Sequence, residues 1–194
     1  MMGFIKHSLV LAAVLLTGCV SYSQHELPAV QTWPPAATVQ QKPTAYVRTT
    51  ALNQVNSGPT VAASGAQATA WEASVAETFR DSGRFTRVST DKVASDIYAE
   101  ATLSNNEKFS MASAIITGAT FFIIPSTAQN TFTLETVFKD KDGKELGRVK
   151  KSESVRTWMH LVLIVGIPFQ QDTRDVVQAL TRSTLDEAVR RQLL

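Results

Sequence analysis

Cys19 is the only cysteine in 194 residues, so no intramolecular disulfide can staple this chain. Whatever folds must be held by a hydrophobic core alone. The position of that cysteine constrains the chain further. It follows a short segment carrying Lys6 and His7, an apolar stretch from Leu9 to Leu16, and then Thr17 and Gly18. This is the layout of a secretory signal, and it is shorter than the roughly 20 apolar residues that a membrane-spanning helix needs.

Leu16, Thr17, Gly18 and Cys19 match a lipobox, and this N-terminal stretch resembles that of bacterial lipoproteins. The resemblance implies a signal peptide over 1–18, peptidase recognition through Leu16, Thr17 and Gly18, and a diacylglyceryl, palmitate-bearing Cys19. In that family an aspartate directly after the cysteine favours retention at the inner membrane. Val20 and Ser21 stand there instead, which implies an anchor on the periplasmic face of the outer membrane. A source with a single membrane would move it to the plasma membrane.

The formal net charge is +2, and Lys6 leaves with the signal, so the remaining chain is nearly neutral. Nucleic-acid binding, which needs a clustered basic face, is therefore not expected. Residues 19–44 carry Pro28, Pro34, Pro35 and Pro43 without a sustained hydrophobic period. Such a segment reads as a disordered tether, about 70 Å long if stretched and nearer ~30 Å as a coil. Within it, Trp33 is the residue able to dock on something.

A single α+β domain is expected over 45–194. Tyr46 to Asn53 reads as a first strand, and Asn56 to Pro59 as a loop. Ala66 to Ser82 reads as a helix, with Trp71, Val75 and Phe79 spaced by four on a core face and Gly83 closing it. A short strand over 85–88 is followed by strands over 96–104, 131–139 and onward to about Val155, the last two joined by a hairpin at Asp142 and Gly143. Asp172 to Leu194 reads as a closing helix. The economical arrangement is an antiparallel sheet of about four strands with two helices on one face. The order of elements resembles the α/β domain at the N-terminus of TolB and of envelope lipoproteins that include the curli secretion channel protein. The run GATFFIIPS, followed by a strand and a hairpin, is similar to uncharacterised proteobacterial lipoproteins.

Two apolar runs, 111–124 and 158–169, interrupt the alternating pattern. Phe109 to Leu134 contains no charged side chain. The first run supplies Ile115, Ile116, Phe121, Phe122, Ile123 and Ile124; the second supplies Trp158, Leu161, Leu163, Ile164 and Ile167. Up-and-down topology predicts that both emerge at the end of the sheet opposite the charged hairpin. They can be buried core, a membrane-dipping tip, or an interface with an envelope partner or further copies. Exposure to water is rejected, because a dozen large apolar side chains at roughly 1.5 to 3 kcal/mol each would outweigh the stability of such a domain.

Catalytic constellations are not apparent. After Cys19 only His25 and His160 remain as histidines, one in the tether and one in an apolar run, so neither a metal site nor another cofactor is expected. Ser110, Ser113 and Thr117 approach His160 only if the apolar runs meet. Asp140 with Asp142, and Asp186 with Glu187, lie in segments that read as solvated. The expectation is a non-enzymatic, membrane-anchored accessory or interaction module of the cell envelope. The alternative is an oligomeric secretion or pore component whose two apolar runs insert into the membrane.

Overall fold

A computed structural model describes residues 18–28, 30, 32–35, 41–160, 163 and 172–194. The strands are β1 (Gly18–Ser23), β2 (Thr44–Val55), β3 (Val61–Ala62), β4 (Arg87–Ser89), β5 (Ile97–Phe109), β6 (Ser126–Asp140) and β7 (Glu145–His160). The helices are α1 (Gly65–Asp81), α2 (Met111–Ala119) and α3 (Thr173–Arg190). The strands form one sheet in the order β1-β7-β6-β5-β2-β3, with β4 also paired to β2.

Among the described residues the sheet is mixed and seven-stranded and three helices accompany it, so the expected antiparallel sheet of about four strands with two helices is corrected. The longer of two parallel pairings joins β2 to β5, from Ala45↔Ile97 to Val55↔Glu107. Between these strands the chain climbs through α1 and returns to its starting level, where β4 pairs in parallel with the first residues of β2. A helical crossover of this kind delivers the next strand in the same direction, whereas a tight turn reverses it. Only β5, β6 and β7 form the expected antiparallel meander.

Strand lengths also differ from expectation. β5 runs on through Asn105, Asn106, Glu107 and Lys108 because each finds a ladder partner in β6, from Phe132 to Gln129. Polar identity shortened the pattern read from sequence without shortening the hydrogen-bonded ladder. The strand β1 adds a further antiparallel edge to β7, from Gly18↔His160 to Ser23↔Val155.

Alternation along the strands fills one face with Val47, Ala99, Ala101, Leu103, Leu134, Phe138 and Val149. Helices α1 and α3 cover that face and pack on each other. Trp71, Val75 and Phe79 are buried there as core, with Trp71 edge-on to Phe132 at 6.0 Å and Phe79 stacked on Phe85 at 5.8 Å. The other face is polar, with Thr102, Ser104, Thr133 and Ser152 in adjacent registers.

The β6–β7 hairpin turns over few residues. Gly143 sits at φ +80°, and the Asp140 carboxylate accepts the backbone N–H groups of Asp142 and Lys144, both at 2.9 Å. This turn carries Lys139, Asp140, Lys141, Asp142, Lys144 and Glu145 into solvent.

Candidate functional site

The pairings Phe109↔Ala128, Ser126↔Met159 and Cys19↔Met159 bring the end of β5, the start of β6, the end of β7 and the start of β1 to one end of the sheet. The pairings Ile97↔Asp140 and Lys139↔Glu145 put the charged hairpin at the other. Helix α2 and the loop after it therefore share an end with Cys19 and Trp158.

Helix α2 starts where Ser110 accepts the N–H of Ser113 at 3.3 Å, while the Ser113 hydroxyl donates to the Ser110 carbonyl at 2.9 Å. Thr117 is the one buried side chain of this helix. Met111, Ile115, Phe121 and Ile123 are 60%, 64%, 68% and 65% exposed, and Ile116, Ile124 and Trp158 are also exposed. Phe122 is half-buried. Phe121 and Phe122 both adopt left-handed backbone, at φ 50° and 63°, which costs bulky residues on the order of 1–3 kcal/mol each. The N–H of Phe122 donates to the Thr117 carbonyl at 2.8 Å, and a ring nitrogen of His160 lies 3.0 Å from the Ile123 carbonyl. The first apolar run thus meets the end of β7.

Of the sequence-predicted contact residues, Ile115, Ile116, Phe121, Phe122, Ile123, Ile124 and Trp158 come together here. Leu163 is half-buried. Leu161, Ile164 and Ile167, like Leu16 and Thr17, lie outside the described residues.

Cys19 is exposed in β1. Strand β1 is held by its ladder and by side chains: the hydroxyls of Ser21 and Thr157 are 2.8 Å apart, and Trp158 Nε1 donates to the Tyr22 hydroxyl at 3.0 Å. The chain beyond β1 is pinned by Glu153, which is only 3% exposed. Its carboxylate accepts the Ser23 hydroxyl at 2.5 Å and the backbone N–H groups of Leu27 at 2.9 Å and Glu26 at 3.3 Å. Trp33 then lies against α3, with the Arg182 guanidinium 5.6 Å from its ring.

A free tether directly after Cys19 is therefore corrected. Residues 18–23 are a strand, and Leu27 and Trp33 pack against the core. The composition of this segment cannot supply order by itself, but a distant carboxylate and an open strand edge do. Glu153 escaped the sequence reading. Its signal was a carboxylate two positions before Val155, on the face that also buries Val149.

A cleft of about 600 Å³ opens between α1, α3 and the sheet, with Gln67, Asn105, Asn130, Thr157 and Asp172 around Trp71 and Phe132. Its polar groups are mostly neutral amides and hydroxyls. Asp172 caps α3 by accepting the Arg174 N–H at 3.0 Å. Among the described residues no cluster of three or more His, Cys, Asp or Glu could hold a metal ion, and no helix is long and apolar enough to cross a membrane.

No protein-family profile matches the chain, and no curated protein is similar to it. Two solved crystal forms of the PelC dodecamer from Paraburkholderia phytofirmans, one of a point variant, are similar over 87% of this chain. The variant is 11% identical with a TM-score of 0.27 and 94% of its chain covered; the other is 9% identical with a TM-score of 0.31 and 95% covered. An uncharacterized protein is 9% identical over 78% of this chain and 92% of its own, with a TM-score of 0.25. At these TM-scores the likeness carries no argument about what this chain does.

Proposed function

We propose that this chain is an exported lipoprotein, cut before Cys19 and anchored through lipid on that residue to the periplasmic face of the outer membrane. Its folded domain serves there as a non-enzymatic accessory or interaction module of the envelope. The observation that carries this reading is the placement of Cys19. It is exposed at the tip of an edge strand, directly after a signal-like segment, and at the end of the sheet that carries the exposed apolar side chains of α2 and the loop after it. Cleavage before Cys19 removes only Gly18 from β1 and leaves the pairings from Cys19↔Met159 to Ser23↔Val155. The seven exposed apolar side chains at that end also support a second reading, an oligomeric secretion or pore component in which they insert together.

Labelled palmitate supplied to cells producing the full chain tests the first reading. Incorporation into the protein, its loss with Cys19→Ser, and transfer of that variant from the membrane to the soluble fraction are the expected results. An unlabelled chain, or a Cys19→Ser variant that retains label, overturns lipidation at this residue. Sizing of the detergent-extracted protein separates the two readings, since the second requires a defined multimer.

A further inference from the structure

We infer that the apolar end of the domain is a membrane-contact surface that sinks into the lipid layer holding the acyl chains of Cys19. The strands then run away from the membrane, and the charged hairpin lies farthest from it. This deepens the proposed function and rests on lipidation of Cys19.

The first ground is continuity with the anchor. Cys19 pairs with Met159, which pairs with Ser126, the residue after Pro125. At about 4.8 Å per strand spacing, the Cys19 backbone lies roughly 10 Å from the loop that carries Phe121 to Ile124. With β1 in its ladder and Glu153 holding the chain behind it, acyl chains on Cys19 fix that loop at the same depth. No long spacer separates the domain from the bilayer.

Chemical pattern supplies the second ground. Phe121, Ile123 and Ile115 are each more than half exposed, an arrangement that water disfavours and a hydrocarbon layer accepts. Between Phe109 and Leu134, and again between Arg156 and Asp172, the sequence carries no Asp, Glu, Lys or Arg. The charge returns at one level: Lys108 pairs with Gln129, and Gln129 with Arg156, so two cations flank one register position about three residues in from the tip. At ~3.3 Å per residue this is about 10 Å from the end, the depth at which a basic side chain meets lipid phosphate when the tip is in the acyl region. On the same face, Tyr22 sits at that level opposite Arg156 and Trp158 lies one step nearer the tip, and this hydrogen-bonded pair supplies the amphipathic rings favoured at a membrane interface.

Backbone strain is the third. Consecutive left-handed phenylalanines close the C-terminus of α2 through backbone hydrogen bonds to Gly118 and Thr117, but the turn leaves the Phe121 side chain with little burial in the protein. A lipid layer covering Phe121 supplies it.

The test uses the full chain with one added thiol, Ile123→Cys or Ile115→Cys at the apolar end and Asp142→Cys at the hairpin, labelled with bimane. Lipidated Cys19 cannot react, so one label per chain reports lipidation and two report a free Cys19. That outcome sinks the proposed function separately, and the measurement is then made in the Cys19→Ser background. The labelled proteins are placed in vesicles of phosphatidylethanolamine and phosphatidylglycerol brominated on their acyl chains. Quenching of the probe at 123 or 115, with the probe at 142 unaffected, is the expected result. Bromine that reaches neither apolar-end position, whether water or a second copy covers it, overturns the inference, as does equal quenching at both ends. In the Cys19→Ser background, Ile115→Asp with Ile123→Asp is expected to lower vesicle partitioning at least about tenfold; unchanged partitioning overturns it too.

Discussion

Two connections close the antiparallel meander at opposite ends, and they are built on opposite principles. The β6–β7 hairpin turns within a handful of residues, satisfies its own N–H groups through Asp140, and leaves its charges in water. The β5–β6 connection spends a capped helix and a strained aromatic turn on the same task, and leaves isoleucines and Phe121 exposed. A hairpin would have sufficed geometrically at both ends. Neither chain reversal nor core packing requires the apolar surface of the second connection, and that surplus is what the proposed membrane contact would use.

The largest effect is expected from the core that both ends share. Phe138→Ala should cost about 3–5 kcal/mol in urea unfolding, because Phe138 is fully buried and a cavity remains in its place. A small loss would mean that the sheet is not one cooperative unit and that the two ends must be treated separately.

Glu153→Ala comes next, at about 1–3 kcal/mol, because it strands the buried partners of the carboxylate. Limited proteolysis should then cut between residues 24 and 35 much faster, while the hairpin stays protected. Equal cutting at both would show that the carboxylate does not pin the chain after β1.

Gly143→Ala acts at the other end. At φ +80° a side chain strains the turn, and about 1 kcal/mol of destabilisation is expected, with no change in membrane association.

Acidification should also act on one end only. Backbone and side-chain hydrogen bonds from Thr44 hold the Asp96 carboxyl below its ordinary value of 3.8, and the Arg191 hydrogen bond holds Glu187 below 4.5. Carboxyls whose folded pKa is depressed stabilise the fold above their unfolded pKa, and that stabilisation is lost as pH falls through the folded value. Amide exchange near Thr44 and Arg148 should therefore quicken as pH drops below about 4, after correction for intrinsic rates. Exchange in α2 should not follow, since no Asp, Glu or His lies between Phe109 and Leu134.

The smallest effect is expected for Ile123→Asp in urea without lipid, within about 0.5 kcal/mol, because that side chain is mostly exposed. A large loss would show that Ile123 is core after all and would remove the contrast between the ends.

Much of this architecture was legible because it is local. The spacing of Trp71, Val75 and Phe79 gave the buried face of α1, the alternation from Ile97 to Leu103 gave β5, and Asp142 with Gly143 gave the hairpin. The apolar runs were visible as runs, but their exposure was not. The same residues fit a buried strand, and only the placement of α2 beyond the ends of β5 and β6 shows that nothing in the described chain covers them. The parallel partnership of β2 with β5 was hidden as well, because the alternation of one strand does not state the direction of its neighbour.

By itself the sequence determined that the fold has no intramolecular disulfide, where its strands and helices nucleate, and that charge is confined away from two segments. Those properties belong to single residues or to neighbours a few positions apart. Tertiary structure alone decided that residues 18–23 add β1 to the edge of the sheet and that Cys19, Trp158 and the loop after α2 share one end. Ser23 and Glu153 are 130 residues apart, and neither residue carries a local preference that names the other. Their bond forms because the sheet has already brought an open edge and a buried carboxylate within reach, and the ladder and hydrogen bonds made there offset the ordering entropy that keeps a proline-rich segment disordered in isolation.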